Sequence, residues 1–399
     1  MVLRSQCTRL FSSSRQCRFS EPPVSNNKYV SIRSCESLRT GLQPDYIRVS
    51  NSKLQNLVWP QPMQNILVMK KPWARVPRDN MVSFISFIHD HYPELNVMVT
   101  KDVAEEISQD FKSYPQQTKS SPHILYTGDT SEIVSKTDLL VTLGGDGTIL
   151  RAVSLFSNVA VPPVLSFSLG TLGFLLPFDF QHHKEAFDNV YNSTAKVLHR
   201  ARLECHMIRA QSEKKETPKM IHAMNDIVLH RGDTPNLTTL DIWVDGQFLT
   251  RTTADGVCLA TPTGSTAYSL SSGGSIVNPL VPAILISPIC PRSLSFRPLI
   301  IPLTSHIKIK VVKKPIGDNN VRLSVDGVPQ DDLKVDDEIH IVNEVGTIFV
   351  KNNKFPYEKP ERTSKYSGIH CVARTESDWV RGINELLGFN SSFKNQTKH

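Results

Sequence analysis

The chain has 399 residues, 39% hydrophobic and 8% aromatic, enough to bury one or two cores, and no apolar run reaches membrane-spanning length. Its net charge of +7 is unevenly spread, because residues 1–40 hold seven lysines and arginines against two glutamates, leaving +2 for the rest. A basic face for nucleic acid is therefore not supported, and neither nucleic acid nor a membrane is expected as a partner.

Met1 to Ser20 contains no acid, has arginines at Arg4, Arg9, Arg15 and Arg18, and carries the cluster Ser12-Ser13-Ser14. That is the composition of a mitochondrial transit peptide addressing the matrix, whereas a secretory signal needs a longer apolar centre. The plain alternative is an ordinary tail. Residues 1–50 are assigned to transit peptide and disordered tail.

Strands and helices then alternate over 60–190. Asn65 to Met69 reads as a first strand, and Met81 to Ile88 as a helix with Asp79 as its cap. Asn96 to Thr100 reads as a second strand, Lys101 to Asp110 as a short helix, and Leu139 to Leu143 and Val164 to Phe167 as buried strands. Such alternation predicts a doubly wound α/β domain with its crevice beyond the C-terminal strand ends.

At one of those ends stands Gly144-Gly145-Asp146-Gly147-Thr148, followed by the helical spacing of Ile149 to Phe156. A strand that turns through glycines into a helix gathers backbone N–H groups and a positive helix dipole, which suits a phosphate. The carboxylate of Asp146 would repel phosphate unless it held a metal ion or took a proton from an attacking hydroxyl. By itself the motif is equally well a tight turn with a polar tip.

From 195 to 355 the segments are β-rich. Asp245-Gly246 and Asp326-Gly327 each join two runs as hairpin signals, and His306 to Val312 alternates as a half-buried strand. Thr252 to Gly274 holds a strand followed by a loop of small and hydroxyl residues, with Tyr268 inside it. Small side chains let a planar ring approach the backbone, although such clusters also mark ordinary turns. Residues 356–399 read as a polar tail in which Trp379, Ile383, Leu386 and Leu387 could form a docking helix.

The seven cysteines contain no C-x-x-C pair and the thirteen histidines no ligand spacing, so no resident metal site is expected. No G-x-x-x-x-G-K-[ST] sequence occurs, the third glycine of the dinucleotide fingerprint is missing, and the protein-kinase motifs are absent.

Three ordered motifs resemble the NAD kinase family: the Gly144 to Thr148 turn, Leu169 to Leu175, and Pro262-Thr263-Gly264-Ser265-Thr266-Ala267-Tyr268-Ser269. The resemblance covers roughly residues 60–355, and the long segment Ser287 to Pro298 looks like the eukaryotic branch. It implies an NAD kinase-like fold, an α/β domain with a β-rich second domain. The implied reaction moves the γ-phosphoryl of ATP, with Mg²⁺, onto the 2′-hydroxyl of the adenosine ribose of NAD(H). Asp146 is the implied catalytic acceptor of the hydroxyl proton, and Gly144, Gly145, Gly147 and Thr148 form the turn against the substrates. Asn225 and Asp226 would bind the dinucleotide; Asp226 stands where the family has Glu. Asp255 would meet a ribose or the nicotinamide end, with Thr263, Thr266, Ala267, Tyr268 and Ser271 around an adenine. Without the resemblance, Asn225-Asp226 and Asp255-Gly256 read as turn residues. A homo-oligomer is also implied. Lipid kinases of the diacylglycerol and sphingosine type share the glycine turn but lack the Gly-Ser-Thr-Ala-Tyr loop, and a catalytically silent dinucleotide sensor is the remaining alternative.

Overall fold

A computed structural model describes residues 29–113, 122–157, 159–170, 173–210, 219–313, 320–344, 349–350, 353–354 and 367–388. The transit-peptide stretch up to residue 28 lies outside them.

The first half folds around a mixed sheet. Five strands run parallel in the spatial order His123–Thr127, Asn96–Met98, Asn65–Lys70, Leu139–Leu143, Val164–Ser168. The chain steps outward in one direction, then returns to the other side of Asn65–Lys70, so the topological switch lies between that strand and Leu139–Leu143. Side chains alternate across a strand, and the two parities build two cores. Ile66, Val68, Val141 and Leu143 pack on one face with Phe84, Ile85 and Ile88 of helix Arg75–His91 and with Phe187 of helix His183–Tyr191. Leu67, Met69 and Leu140 point to the other face, against Ile149, Ala152 and Val153 of helix Asp146–Ser154. Burial on both faces is the reason these strands read as continuous apolar runs.

The second half is a sandwich of two six-stranded antiparallel sheets. Leu203, Cys205, Ile307, Ile309, Ile339 and Ile341 of one sheet meet Ile227, Leu229, Val257, Leu259, Ile284 and Ile286 of the other in a single apolar cluster. Both expected Asp-Gly hairpins are present, between Thr238–Val244 and Gln247–Ala254 and between Arg322–Val325 and Val328–Pro329. Asp245 and Asp326 take positive φ of 52° and 49°, as such two-residue turns require.

Four sequence expectations need correction. The disordered tail does not extend to residue 50, because Val30–Ser34 pairs in parallel with His123–Thr127 and Asp45–Arg48 pairs with Gln55–Val58. Lys196–Arg200, assigned to the β-rich domain, belongs to the first sheet. The polar tail returns a strand to that sheet: Ile369–Ala373 lies between Val164–Ser168 and Lys196–Arg200. The sandwich therefore starts at Leu203, and the segment from 203 to the last strand is an insertion between two strands of the first sheet. Finally, the helix expected at Met81 starts six residues earlier, at Arg75 after Ala74, and Asp79 lies inside it. Its first turn carries Pro77, a residue tolerated there because the N–H it lacks has no intrahelical partner. Helix Asp378–Leu387 ends on Gly388 in the left-handed conformation and sets Gly382 against the Phe174 ring.

Candidate active site

The glycine turn occupies the switch point. Gly144 follows the strand Leu139–Leu143, Gly145 caps the helix, and Asp146 is its first residue. A side chain on Gly144 would collide with the hydroxyl of buried Thr148 beneath the turn. Gly145 and Gly147 differ: a Cβ on either would meet nothing within 4 Å. Within the chain, their smallness leaves an open backbone surface at a helix N-terminus.

Asp146 does not project freely. Its carboxylate folds back onto the following segment, accepting hydrogen bonds from the backbone N–H of Phe174 at 3.2 Å and of Leu175 at 3.1 Å. Burial pushes its pKa up, and those two N–H groups and the charge of Arg200 oppose the rise. Two accepted bonds leave lone pairs on both oxygens for an incoming donor. Of the segment Leu169 to Leu175, residues 171 and 172 lie outside the described residues.

Asn225 and Asp226 lie against this turn through Met224, which shares an apolar cluster with Ile149, Leu175 and Leu176. Among the described residues, the buried Asn225 side-chain oxygen has no hydrogen-bond partner. The backbone N–H groups of Met224, Asn225 and Asp226 all donate to one carboxylate, that of Asp326, at 2.8, 2.7 and 3.1 Å. Asp226 itself is buried beside Asp326. Burial, then the negative charge of Asp326, raises its pKa to about 7, opposed by a hydrogen bond from the Tyr268 backbone.

The hydroxyl-rich segment packs onto the same place. Gly264 approaches the Asn225 carbonyl so closely that a side chain would collide with it, and Thr261 N–H donates to that carbonyl at 2.9 Å. Thr263 is buried, and Thr266 donates to its carbonyl at 3.3 Å. Ala267 precedes the single helical turn Tyr268–Ser271. The Tyr268 ring is 41% exposed; burial raises its hydroxyl pKa, and Asp255 and Asp226 are near enough to add to the rise. Ser271 is exposed. Asp255 forms an ion pair with Arg231 at 2.6 Å, so it already has a cationic partner.

The fold thus gathers the glycine turn, Asn225, Asp226 and the Thr263–Ser271 segment around one point, with Asp255 at the edge beside Tyr268. Three participants escaped the sequence reading. Arg231 had no signal. Asp326 was visible only as a turn residue. Arg200, buried between the two domains, donates to Thr263 Oγ1 at 3.2 Å and to the Phe174 carbonyl at 3.5 Å, and nothing in its local sequence marks it. Among the described residues, no three His, Cys, Asp or Glu side chains are grouped as metal ligands. Asp146 is the single acid at the turn, a donor set that suits Mg²⁺ arriving on a triphosphate rather than a resident ion.

Comparison with known proteins agrees domain by domain. Residues 77–195 match the ATP-NAD kinase N-terminal domain and residues 224–347 the ATP-NAD kinase C-terminal domain. The chain belongs to the ATP-NAD kinase family, and its activity is phosphorylation of NAD(H). It is 59% identical over 383 residues to the mitochondrial NADH kinase POS5 of Saccharomyces cerevisiae, covering 93% of this chain and 91% of that protein. To the mitochondrial NADH kinase of Schizosaccharomyces pombe it is 39% identical over 375 residues, covering 91% and 86%. Among solved structures, yeast NADH kinase complexed with NADH matches at 59% identity with a TM-score of 0.84, covering 94% of this chain and all of that one.

Proposed function

We propose that this chain phosphorylates NADH in preference to NAD⁺, using ATP and Mg²⁺, and supplies NADPH in the mitochondrial matrix. The single observation that carries the catalytic assignment is the Asp146 carboxylate, anchored at the switch point by two backbone N–H groups with lone pairs to spare. NADH preference and a mitochondrial address rest on the two relatives named mitochondrial NADH kinases and on the acid-free, arginine-spaced start of the chain.

Phosphoryl transfer asks the protein for positioning and charge neutralisation more than for covalent chemistry. Asp146 accepts the proton of the ribose 2′-hydroxyl and keeps its oxygen in line with the incoming phosphorus. The open backbone at Gly144, Gly145 and Gly147 and the start of the helix, with Thr148 beneath, receive phosphate oxygens. The unpartnered Asn225 oxygen takes a donor from the dinucleotide, and Asp226 hydrogen-bonds a ribose hydroxyl. Thr263, Thr266, Ala267, Tyr268 and Ser271 flank the adenine, the exposed Tyr268 ring offering a stacking surface. Asp255, held by Arg231, faces the ribose or nicotinamide end. Mg²⁺ bound with the triphosphate would supply neutralisation of the phosphate charge.

The test is to incubate the pure chain with ATP, Mg²⁺ and either NADH or NAD⁺ and to quantify NADPH and NADP⁺. NADH should show the higher kcat/KM. A higher value for NAD⁺ removes the preference and keeps the family activity, whereas phosphorylation of a diacylglycerol or sphingoid base alone removes the assignment. A fusion carrying residues 1–50 should enter the matrix; cytosolic fluorescence would overturn the address.

A further inference from the structure

Two buried arginines stand two residues apart, and only one of them is explained by the fold. Arg202 is almost wholly buried and ion-pairs with buried Glu344 at 2.5 Å, while donating to the Phe156 carbonyl at 3.0 Å and the Val159 carbonyl at 3.3 Å. Arg200 is also buried, at 8% exposure, yet among the described residues no carboxylate lies within 4 Å of it. Its partners are all neutral, the Thr263 hydroxyl, the Phe174 carbonyl and the Cys371 thiol, and among the described residues its Nε has no hydrogen-bond partner. Burying a guanidinium without a counter-ion is costly, and hydrogen bonds to neutral acceptors offset only part of that cost. An apolar side chain would serve the fold better, so the placement of Arg200 calls for another reason.

That reason is visible in what it joins. Arg200 ends the strand Lys196–Arg200 of the first sheet, at the point where the chain crosses into the sandwich. One arm of the fork reaches the carbonyl of Phe174, whose own N–H holds Asp146. The other reaches the hydroxyl of Thr263, which opens the segment packed on Asn225. We propose that Arg200 is a positioning residue for phosphoryl transfer, clamping the backbone cradle of Asp146 in the first domain to the Thr263–Ser271 segment of the second.

The clamp fixes the separation between the proton acceptor and the ribose hydroxyl that must reach it. A misplacement of about 1 Å at such a junction costs on the order of 100-fold in rate. The Arg200 charge also acts on Asp146, favouring the ionised form against burial. Around the guanidinium the titratable neighbours are Asp146 and Cys371, whose thiol pKa burial raises and Arg200 lowers. This role rests on the kinase reading above.

The experiment compares wild type, Arg200→Met and Arg200→Lys for melting temperature, for kcat and KM with NADH, and for the dependence of kcat on pH. Methionine fills the buried volume without charge, so Arg200→Met should melt close to wild type. Its kcat should fall ~30-fold or more with KM within about threefold, and the acidic limb of its kcat profile should move up by about half a pH unit. Arg200→Lys keeps the charge and loses the fork, so its acidic limb should stay near that of wild type while kcat recovers only partly. A folded Met variant with kcat within threefold of wild type and an unmoved limb overturns the clamp, and so does a loss confined to KM. Failure of both variants to fold also overturns it, by assigning Arg200 to the fold alone. A wild type that phosphorylates neither dinucleotide sinks the kinase reading instead, before any variant is compared.

Discussion

Asp146, half-buried, and Asp226, buried, are two carboxylates around one site in different electrostatic settings. Burial raises the pKa of both, and it does so as the largest single influence on each. Asp146 then receives two backbone N–H bonds and the charge of Arg200, all favouring the anion. Asp226 receives one backbone hydrogen bond and, against it, the Asp326 carboxylate, and reaches about 7. The same residue type is thus set up for two different protonation states. In the proposed reaction, a cation and two donors oppose the burial of Asp146 and favour the anion a proton acceptor needs, while Asp226 can hold a proton at neutral pH.

The strongest way to break the comparison is Asp146→Asn. The amide keeps the shape of the turn and removes the proton acceptor, so kcat should fall by ~10³-fold or more. Asn has one acceptor oxygen where the carboxylate uses two, so one of the Phe174 and Leu175 N–H groups loses its acceptor and stability should fall by about 1–3 kcal/mol, while calorimetry should still register dinucleotide binding. A folded variant with comparable turnover would remove Asp146 from the mechanism.

Asp326→Ala attacks the other side. Three backbone N–H groups lose their shared acceptor in a buried place, and stability should drop by about 2–4 kcal/mol in urea unfolding. A loss below about 0.5 kcal/mol would mean that solvent or a neighbour satisfies those donors without Asp326.

Asp226→Asn sharpens the comparison through pH. The folded-state pKa near 7 lies above the ordinary value of 3.8, so the protonated carboxyl favours the folded protein and the ionised one opposes it. Stability contributed by this group is fully present below about pH 4 and is lost as pH rises towards 7. Relative to wild type, Asp226→Asn should be on the order of 3 kcal/mol more stable at pH 8 and equal to it near pH 4. Parallel stability curves for the two proteins across that range would contradict the setting assigned to Asp226.

The mildest test lies in the open glycines. Gly147→Ala adds a methyl to a solvent-facing helical position, so the helix should gain about 0.5–1 kcal/mol. If phosphates use that surface, KM for ATP should rise severalfold while the melting temperature also rises. An unchanged KM would place the triphosphate elsewhere.

The sequence by itself determined the local parts. Apolar runs of five residues with glycines at the end located the buried strand and the turn at Gly144, and the Asp-Gly pairs located both hairpins, because strand burial and turn geometry are set by residues adjacent in the chain. The order of three motifs, which no single element carries, supplied the family. Other features depended on the tertiary structure alone. Lys196–Arg200 has the alternation of any half-buried strand, and which sheet takes it depends on Ile369–Ala373 returning from far along the chain. Asp245 and Asp326 are identical as hairpin residues. One receives the N–H of His306 at an exposed tip, and the other gathers three N–H groups beside Asp226. Arg200 carries no local signature, since its meaning comes from Phe174 and Thr263, 26 and 63 residues away. Periodicity and turn chemistry act over a few residues and are written in the sequence, whereas charge, desolvation and clamping act through space and exist only once the two domains are packed together.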